Sequence, residues 1–203
     1  MGKTLTELEF ATAARHFFDF SQRLLDDWEL VEAPSNNVVY LKKLCKQQLN
    51  LSADFNATDT GCEELPLEDV STDVPADNVQ LYNCEYHIVY STSYQVPVLY
   101  FNIYKSDGTM LTLEEAWKGF LEFSGESREQ LRQTLTQMEH PVLFKPFLAL
   151  HPCQTAQVLD NVSGSGNLIV AFVSSYGPCV SLNLDIRYGR LTDSTNFTTS
   201  ESS

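Results

Sequence analysis

The sequence of 203 residues predicts a single α+β domain, in which helices flank an antiparallel meander of β-strands. A helical pattern opens the chain, and two long runs rich in β-branched and aromatic residues lie near its middle. Strands and helices do not alternate, which disfavours a doubly wound parallel sheet. An apolar fraction of 43% is enough for a core. We place the domain at residues 1–188, followed by a disordered tail at residues 189–203.

The N-terminal stretch from about Thr4 to Asp27 predicts an amphipathic helix. Thr4 or Thr6 can cap its start, and Glu7 and Glu9 lie in its first turn. Residues near a spacing of three or four form the expected buried stripe, namely Leu8, Ala11, Ala14, Phe17, Phe18, Ser21, Leu24 and Leu25.

The next segment predicts a β-hairpin. Pro34–Asn37 is a turn signal, the residues Val38–Cys45 have strand composition, and a short strand before the turn would complete the pair. The acidic stretch at about residues 50–79 then has few large apolar residues. We interpret it as a mobile loop or insertion, for which an acidic docking peptide is an alternative.

The clearest strands follow at Asn83–Ser91 and Gln95–Tyr104. Ser106–Gly108 is a tight-turn signal that ends the second strand. Pro97 suits the start or an edge of its strand, because it has no N–H to donate to a neighbour. His87 is interpreted as a residue of the sheet rather than a catalytic group.

Shorter elements complete the domain. Leu113–Leu121 predicts a short helix with acidic residues in its first turn, whereas Glu126–Met138 fits a helix or an ordered loop. Thr155–Val162 can form another short helix. The apolar run Leu168–Tyr176 fits a buried helix or a strand, and the asparagine before it and the Gly-Pro after it favour a helix.

A thiol ends the segment Glu139–Cys153, which contains three prolines. Proline excludes a regular helix and disfavours a central strand, so we expect this segment to cross the surface of a more regular part of the fold. If its last residues are extended, His151 and Cys153 face the same way. A histidine there can support the thiolate form of Cys153, the form that acts as a nucleophile. A buried, inert cysteine is the alternative.

Charge, hydropathy and cysteine content argue against several classes of function and site. A formal net charge of -14 makes binding to nucleic acid through a basic face improbable. No apolar run is long enough for membrane insertion, and no secretory signal is recognisable, so we expect a cytoplasmic protein. The five cysteines are odd in number and show no metal-ligand spacing, which argues against a disulfide framework or a zinc site.

Several local sequences together resemble one family of enzymes. These are Tyr86–Ser91, Ser93–Phe101, the Asp107-Gly108 turn, Glu139-His140-Pro141 and His151-Pro152-Cys153. They are similar to the autophagy-related ubiquitin-like conjugating enzyme ten family. The sister family, conjugating enzyme three, also has His-Pro-Cys, but it carries a long acidic insertion between the sheet and the thiol that this sequence lacks.

The resemblance implies a ubiquitin-conjugating-enzyme-like core and a specific reaction. The modifier, autophagy-related protein twelve, would pass from the activating enzyme, autophagy-related protein seven, to a thioester on Cys153. Its C-terminal glycine would then be transferred to a lysine of autophagy-related protein five without a separate ligase. The resemblance implies no cofactor and no metal.

The group that stabilises the oxyanion of the transfer step remains open. Ubiquitin-conjugating enzymes carry His-Pro-Asn upstream of the cysteine, but here Val142 follows His140-Pro141. The polar candidates are Gln137, Glu139, His140 and Tyr94, each of which fits a structural role equally well.

A partner surface is also suggested near the second central strand. Tyr94, Pro97 and Tyr100 could offer an edge on which the acceptor adds a strand. The alternative is that these tyrosines belong to the core.

Two rival functions remain at this point. A cysteine hydrolase acting on ubiquitin-like proteins could use Cys153 with His140 or His87 as its base, if the thiol opens a helix and an Asn or Asp orients the base. A catalytically silent binding domain of the same fold is the other, although the retained Cys153 argues against it.

Overall fold

A computed structural model describes residues 4–33, 38–49, 80–124, 133–161 and 164–192. Within these ranges, six strands form one antiparallel sheet: β1 (Trp28–Ala33), β2 (Val38–Leu49), β3 (Gln80–Ser91), β4 (Val96–Tyr104), β5 (Leu135–Glu139) and β6 (Pro146–Leu150). Their order across the sheet is β1-β2-β3-β4-β6-β5. The predicted α+β class with an antiparallel meander is confirmed, as is the predicted hairpin of β1 and β2.

Helices pack beside this sheet. They are α1 (Glu7–Leu24), α2 (Leu113–Ser124), α3 (Thr155–Asn161) and α4 (Leu168–Tyr176), with 3-10 turns at Pro152–Gln154, Gly177–Val180 and Ile186–Leu191. The helix predicted for the apolar run of α4 is confirmed. Its cap is Asn167, whose side-chain oxygen accepts hydrogen bonds from the N–H groups of Ile169 and Val170.

The first helix begins as predicted and buries most of the predicted stripe, but not the two leucines at its ends. Thr6 and Glu9 form a capping box, in which each side chain accepts a bond from the other residue's N–H. The fully buried residues of α1 are Phe10, Ala14, Phe17 and Ser21. Leu8 and Leu25, assigned to the stripe from the sequence, are 75% and 89% exposed. Phe10 replaces them, because it lies one turn before Ala14.

The two faces of the sheet differ in what covers them. On one face, alternate strand residues such as Leu41, Ile88 and Phe101 join the main core with the helices. On the other face lies a smaller apolar cluster, made of Tyr40, Val89, Val98, Tyr100, Phe147 and Ala149. We call it the second cluster. Val142, in the loop after β5, packs against it.

Two predictions about the region before the thiol are wrong. Leu135–Met138, predicted as helix or loop, belongs to strand β5, and β6 lies inside the sheet between β4 and β5. The prolines do not prevent this, because Pro146 is the first residue of β6 and Pro141 and Pro152 lie outside it. A proline at the start of a strand removes few ladder bonds.

The C-terminal boundary also lies later than predicted. The 3-10 turn Ile186–Leu191 includes the first residues assigned to the tail, and Tyr188 and Leu191 are buried in the main core. The rest of the predicted tail, the acidic stretch at 50–79 and the turn at Pro34–Asn37 lie outside the described residues.

Candidate active site

The thiol of Cys153 is exposed at the start of a helical segment. Strand β6 ends at Leu150, and a 3-10 turn over Pro152–Gln154 leads directly into α3. Pro152 occupies the first position of this turn, where a missing N–H is tolerated. Burial of Pro152 and exposure of Cys153 therefore present the sulfur to solvent.

His151 caps that turn through its side chain. Its Nδ1 accepts a hydrogen bond of 3.2 Å from the backbone N–H of Cys153, so in this arrangement the ring proton is on Nε2. The backbone N–H of His151 donates to the carbonyl of Thr134 at 2.6 Å. His151 and Cys153 are thus linked by a cap. They do not show the strand alternation expected from the sequence, because the extended backbone ends at His151.

Tyr94 also lies at this turn, although it is far from His151 in the sequence. It lies in the β3–β4 connection and is 43% exposed. Its ring centroid is 5.7 Å from that of His151, with the ring planes at 79°. This edge-on arrangement is favourable for aromatic rings. Of the four predicted polar helpers, the structure brings Tyr94 to the His-Pro-Cys turn.

Strand register places Gln137 and Glu139 at increasing distances from the turn. Leu135 pairs with Leu150, Gln137 with Leu148 and Glu139 with Pro146. At about 3.3 Å per residue, Gln137 lies about 7 Å and Glu139 about 13 Å from the end of β6 that leads to Cys153. Both side chains are exposed. Glu139 therefore lies at the wrong end of the hairpin for a direct role at the thiol.

His140 is not a polar helper at the thiol, because it is buried and both its ring nitrogens are engaged. Its Nδ1 accepts bonds of 3.2 Å from the N–H groups of Val142 and Leu143. Its Nε2 lies 2.9 Å from Nδ1 of His87, whose Nε2 in turn lies 3.1 Å from a carboxylate oxygen of Glu85. Burial, assisted by His87, lowers the pKa of His140 to about 4.

The same contacts remove the base of the hydrolase hypothesis. His87 and His140 bond to each other beside the second cluster, and no ring nitrogen is left to accept a proton from Cys153. His87 is the sheet residue that the sequence indicated.

The predicted strand-addition surface is not formed by the three residues assigned to it. Pro97 and Tyr100 are buried, and Tyr100 belongs to the second cluster. Strand β4 lies between β3 and β6, so it is not the outermost strand of the sheet. Tyr94 is the exposed member of the set, whereas Tyr100 is a core tyrosine.

One contact at the site could not have been found from the sequence. The bond from His151 to the carbonyl of Thr134 joins residues on neighbouring strand ends. A backbone carbonyl is present at every position, so no residue type signals it. The indole N–H of Trp117 similarly donates to the carbonyl of Leu135 at 2.9 Å and ties α2 to the start of β5.

The described ranges contain no group of three or more His, Cys, Asp or Glu side chains suited to a metal ion. None of the helices in the described part of the chain has the length and apolar character needed to cross a bilayer.

Comparison with known proteins identifies the family. Residues 9–186 match the family described as "Autophagocytosis associated protein, active-site domain". The Homo sapiens ubiquitin-like-conjugating enzyme ATG10 is 35% identical over 204 residues, covering 92% of this chain and 93% of the human protein. The Arabidopsis thaliana ubiquitin-like-conjugating enzyme ATG10 is 34% identical over 124 residues, covering 56% and 55% of the two chains.

A crystal structure described as the autophagic E2 Atg10 aligns with 88% of this chain and 98% of its own, with a TM-score of 0.49 and 13% identity. The family model spans most of the chain, and the human relative aligns over nearly the whole of it. The chain therefore belongs to the autophagocytosis-associated active-site-domain family, among its ubiquitin-like-conjugating enzymes, and is a ubiquitin-like protein transferase of autophagy.

Proposed function

We propose that this chain carries autophagy-related protein twelve as a thioester on Cys153. It accepts the modifier in the cytoplasm from the activating enzyme, autophagy-related protein seven, and transfers it to a lysine of autophagy-related protein five. The observation that carries the proposal is the exposed thiol of Cys153 at a helical turn capped by His151, in a chain of this enzyme family.

The first step is an exchange of thioesters. The thiolate of Cys153 attacks the carbonyl carbon of the modifier's C-terminal glycine, and the sulfur of the activating enzyme leaves as a thiolate. An exposed sulfur meets the need for access, because the activating enzyme must bring its own thioester to it. His151 holds the turn that presents this sulfur.

The second step forms the isopeptide bond. A neutral lysine amine attacks the same carbonyl carbon, the proton of the amine is lost, and Cys153 leaves as a thiolate. The negative charge on the carbonyl oxygen needs a hydrogen-bond donor. The backbone N–H of Cys153 is already bonded to His151, so another donor must serve. Tyr94 and Gln137 remain the candidates on the present geometry.

The test is formation of the thioester in a reconstituted mixture. The chain is incubated with the activating enzyme, ATP and the modifier, and it is analysed on gels with and without a reducing agent. We expect one heavier band that reduction removes, that Cys153→Ala abolishes, and that Cys153→Ser converts to a reduction-resistant oxyester. Cys179→Ala serves as the control, since it removes a partly buried thiol elsewhere.

A chain that folds but gives no such band would overturn the proposal. Iodoacetamide labelling then distinguishes a catalytically silent domain from a domain with a reactive Cys153. A catalytically silent domain predicts labelling of Cys153 no faster than that of other accessible thiols, whereas a poised nucleophile is labelled faster.

A further inference from the structure

Two cysteines outside the active site face each other across the β2–β3 ladder. Cys45 and Cys84 are direct partners in the antiparallel register. Side chains at such positions point to the same face of the sheet, with Cβ atoms about 4.5–5.5 Å apart. The Cα separation of antiparallel partners, about 4.5–5.5 Å, also lies within the range that disulfides span. Both cysteines carry free thiols.

The two thiols differ in exposure, which sets the order in which a reagent meets them. Cys84 is buried in the main core, whereas Cys45 is partly buried. Both border a surface cavity of about 580 Å³. A small oxidant can therefore enter from solvent and reach Cys45 before Cys84.

The neighbours of the pair favour a thiolate on Cys45. The hydrogen bond from Cys84, and more weakly the charge of Lys43, lower the pKa of Cys45 to about 7 against the opposing effect of burial. The same hydrogen bond and burial raise the pKa of Cys84. The Sγ of Cys84 also lies 3.8 Å from the side-chain oxygen of Gln47. When Cys45 ionises, the proton that the pair retains stays with the buried sulfur.

We propose that Cys45 and Cys84 form a peroxide-sensitive dithiol, which closes to an intramolecular disulfide and reopens with a thiol reductant. The thiolate of Cys45 attacks one oxygen of hydrogen peroxide, the O–O bond breaks, and water leaves after protonation, giving a sulfenic acid on Cys45. The sulfur of Cys84 then attacks the sulfenic sulfur. The proton of Cys84 leaves with the hydroxyl as a second water, so two thiols lose two electrons to one peroxide.

This dithiol is separate from the conjugating thiol. Cys84 precedes Ser91 by seven residues on β3, about 23 Å along the strand from the end at which Tyr94 meets His151. Oxidation at the pair therefore leaves Cys153 chemically intact. Its direct effect is to lock the β2–β3 ladder and to close the chain between residues 45 and 84.

The test treats the full chain with hydrogen peroxide, blocks remaining thiols with N-ethylmaleimide, and maps the peptides without reduction. We expect a cross-linked peptide pair that contains Cys45 and Cys84 and disappears on treatment with dithiothreitol. We also expect the oxidised chain to unfold at a higher Tm, by about 3 °C or more, because the disulfide restricts the unfolded chain.

Two variants supply the controls. In Cys84→Ser, which keeps a hydrogen-bond donor beside Cys45 but has no sulfur, Cys45 should stop at the sulfenic acid, which dimedone traps. Cys45→Ser should give neither the cross-link nor the trap at this site. Both variants should still form the thioester on Cys153, so failure of this proposal is distinguishable from failure of the proposed function. The proposal is overturned if the unsubstituted chain gives dimedone-labelled Cys45 without the cross-link, or if Cys45 pairs with another cysteine.

Discussion

His87 and His140, 53 residues apart in the sequence, share a buried hydrogen bond of 2.9 Å between Nδ1 of His87 and Nε2 of His140. The bonds around them determine where each proton lies. Because Nδ1 of His140 accepts from the N–H groups of Val142 and Leu143, its proton is on Nε2 and is donated to His87. His87 accepts that bond at Nδ1, so its own ring proton is on Nε2 and is donated to a carboxylate oxygen of Glu85.

The buried histidine pair predicts a specific dependence of stability on pH. Folding lowers the pKa of His140 to about 4, from about 6.5 in an unfolded chain, so only the unfolded state binds a proton between these values. The contribution is fully present above about pH 6.5 and is lost as the pH falls towards 4. At about pH 5 the loss should approach 2 kcal/mol, measured by urea unfolding.

His140→Asn is the matched variant for this measurement. An asparagine oxygen can accept from the same backbone N–H groups, but it does not titrate. The other histidines are common to both chains, so the difference in their losses between about pH 7.5 and pH 5 reports on His140. Equal losses in the two chains would contradict the buried neutral histidine.

A second prediction concerns the buried cap of α4. Asn167 accepts from two N–H groups of the helix and donates through Nδ2 to the carbonyl of Ala13 at 2.9 Å. Asn167→Ala removes all three bonds at a site only 1% exposed, so the free energy of unfolding should fall by about 2–4 kcal/mol. Thr6→Ala, at the exposed capping box of α1, should cost only about 1 kcal/mol. Equal costs would mean that burial adds nothing to the cap.

Features that depend on neighbours in the sequence could be predicted. The cap at Asn167 and the strand composition of β3 and β4 are visible within a few residues, and both elements formed as expected. Strand β6 could not be predicted, because its place depends on pairing with residues of β4 and β5 that no local pattern specifies. Pro146 also argued against a strand here, because proline is disfavoured in a central strand.

At the candidate site, too, the sequence predicted local features but not contacts between distant parts of the chain. The contiguous His-Pro-Cys motif indicated the thiol, and the chain belongs to the expected family. His151 lies beside the thiol as the motif indicated, but proximity in sequence was a poor guide to the other polar groups. Glu139 and His140 seemed close to the motif but lie at the far end of β6, whereas Tyr94 reaches His151 from the β3–β4 connection.

A third prediction concerns the turn after α4. A Cβ added to Gly177 would lie 2.3 Å from the carbonyl oxygen of Leu182. This backbone oxygen cannot move away easily, because the N–H of Leu182 is hydrogen-bonded to the carbonyl of Gly177. We expect Gly177→Ala to lower the free energy of unfolding by about 3 kcal/mol or more. Gly189→Ala is the control, since its Cβ meets no atom within 4 Å and should change stability by less than about 0.5 kcal/mol.

The measurement for this pair is chemical unfolding of both variants beside the unsubstituted chain. A small effect of Gly177→Ala, matching that of Gly189→Ala, would show that the chain around Leu182 moves freely. Val180 and Leu182 are both buried in the main core, so we expect no such movement.

The last prediction separates two roles for Tyr94 in the transfer step. If the ring only supports His151, Tyr94→Phe should keep the rate of transfer from Cys153, because phenylalanine can make the same edge-on contact. Tyr94→Ala should then slow transfer by about threefold to tenfold, the range expected for one aromatic pair. If the hydroxyl stabilises the oxyanion, Tyr94→Phe alone should lower the rate by about a hundredfold.

Single-turnover transfer from preformed thioester measures this step without the activating enzyme. We expect the pattern of ring support, since Tyr94 and His151 are in ring contact and His151 already positions the backbone of Cys153. Gln137→Ala tests the remaining candidate on the same assay. A large loss in Tyr94→Phe with normal Gln137→Ala would instead assign the oxyanion to the tyrosine hydroxyl, and His151 would then be the residue that aims it.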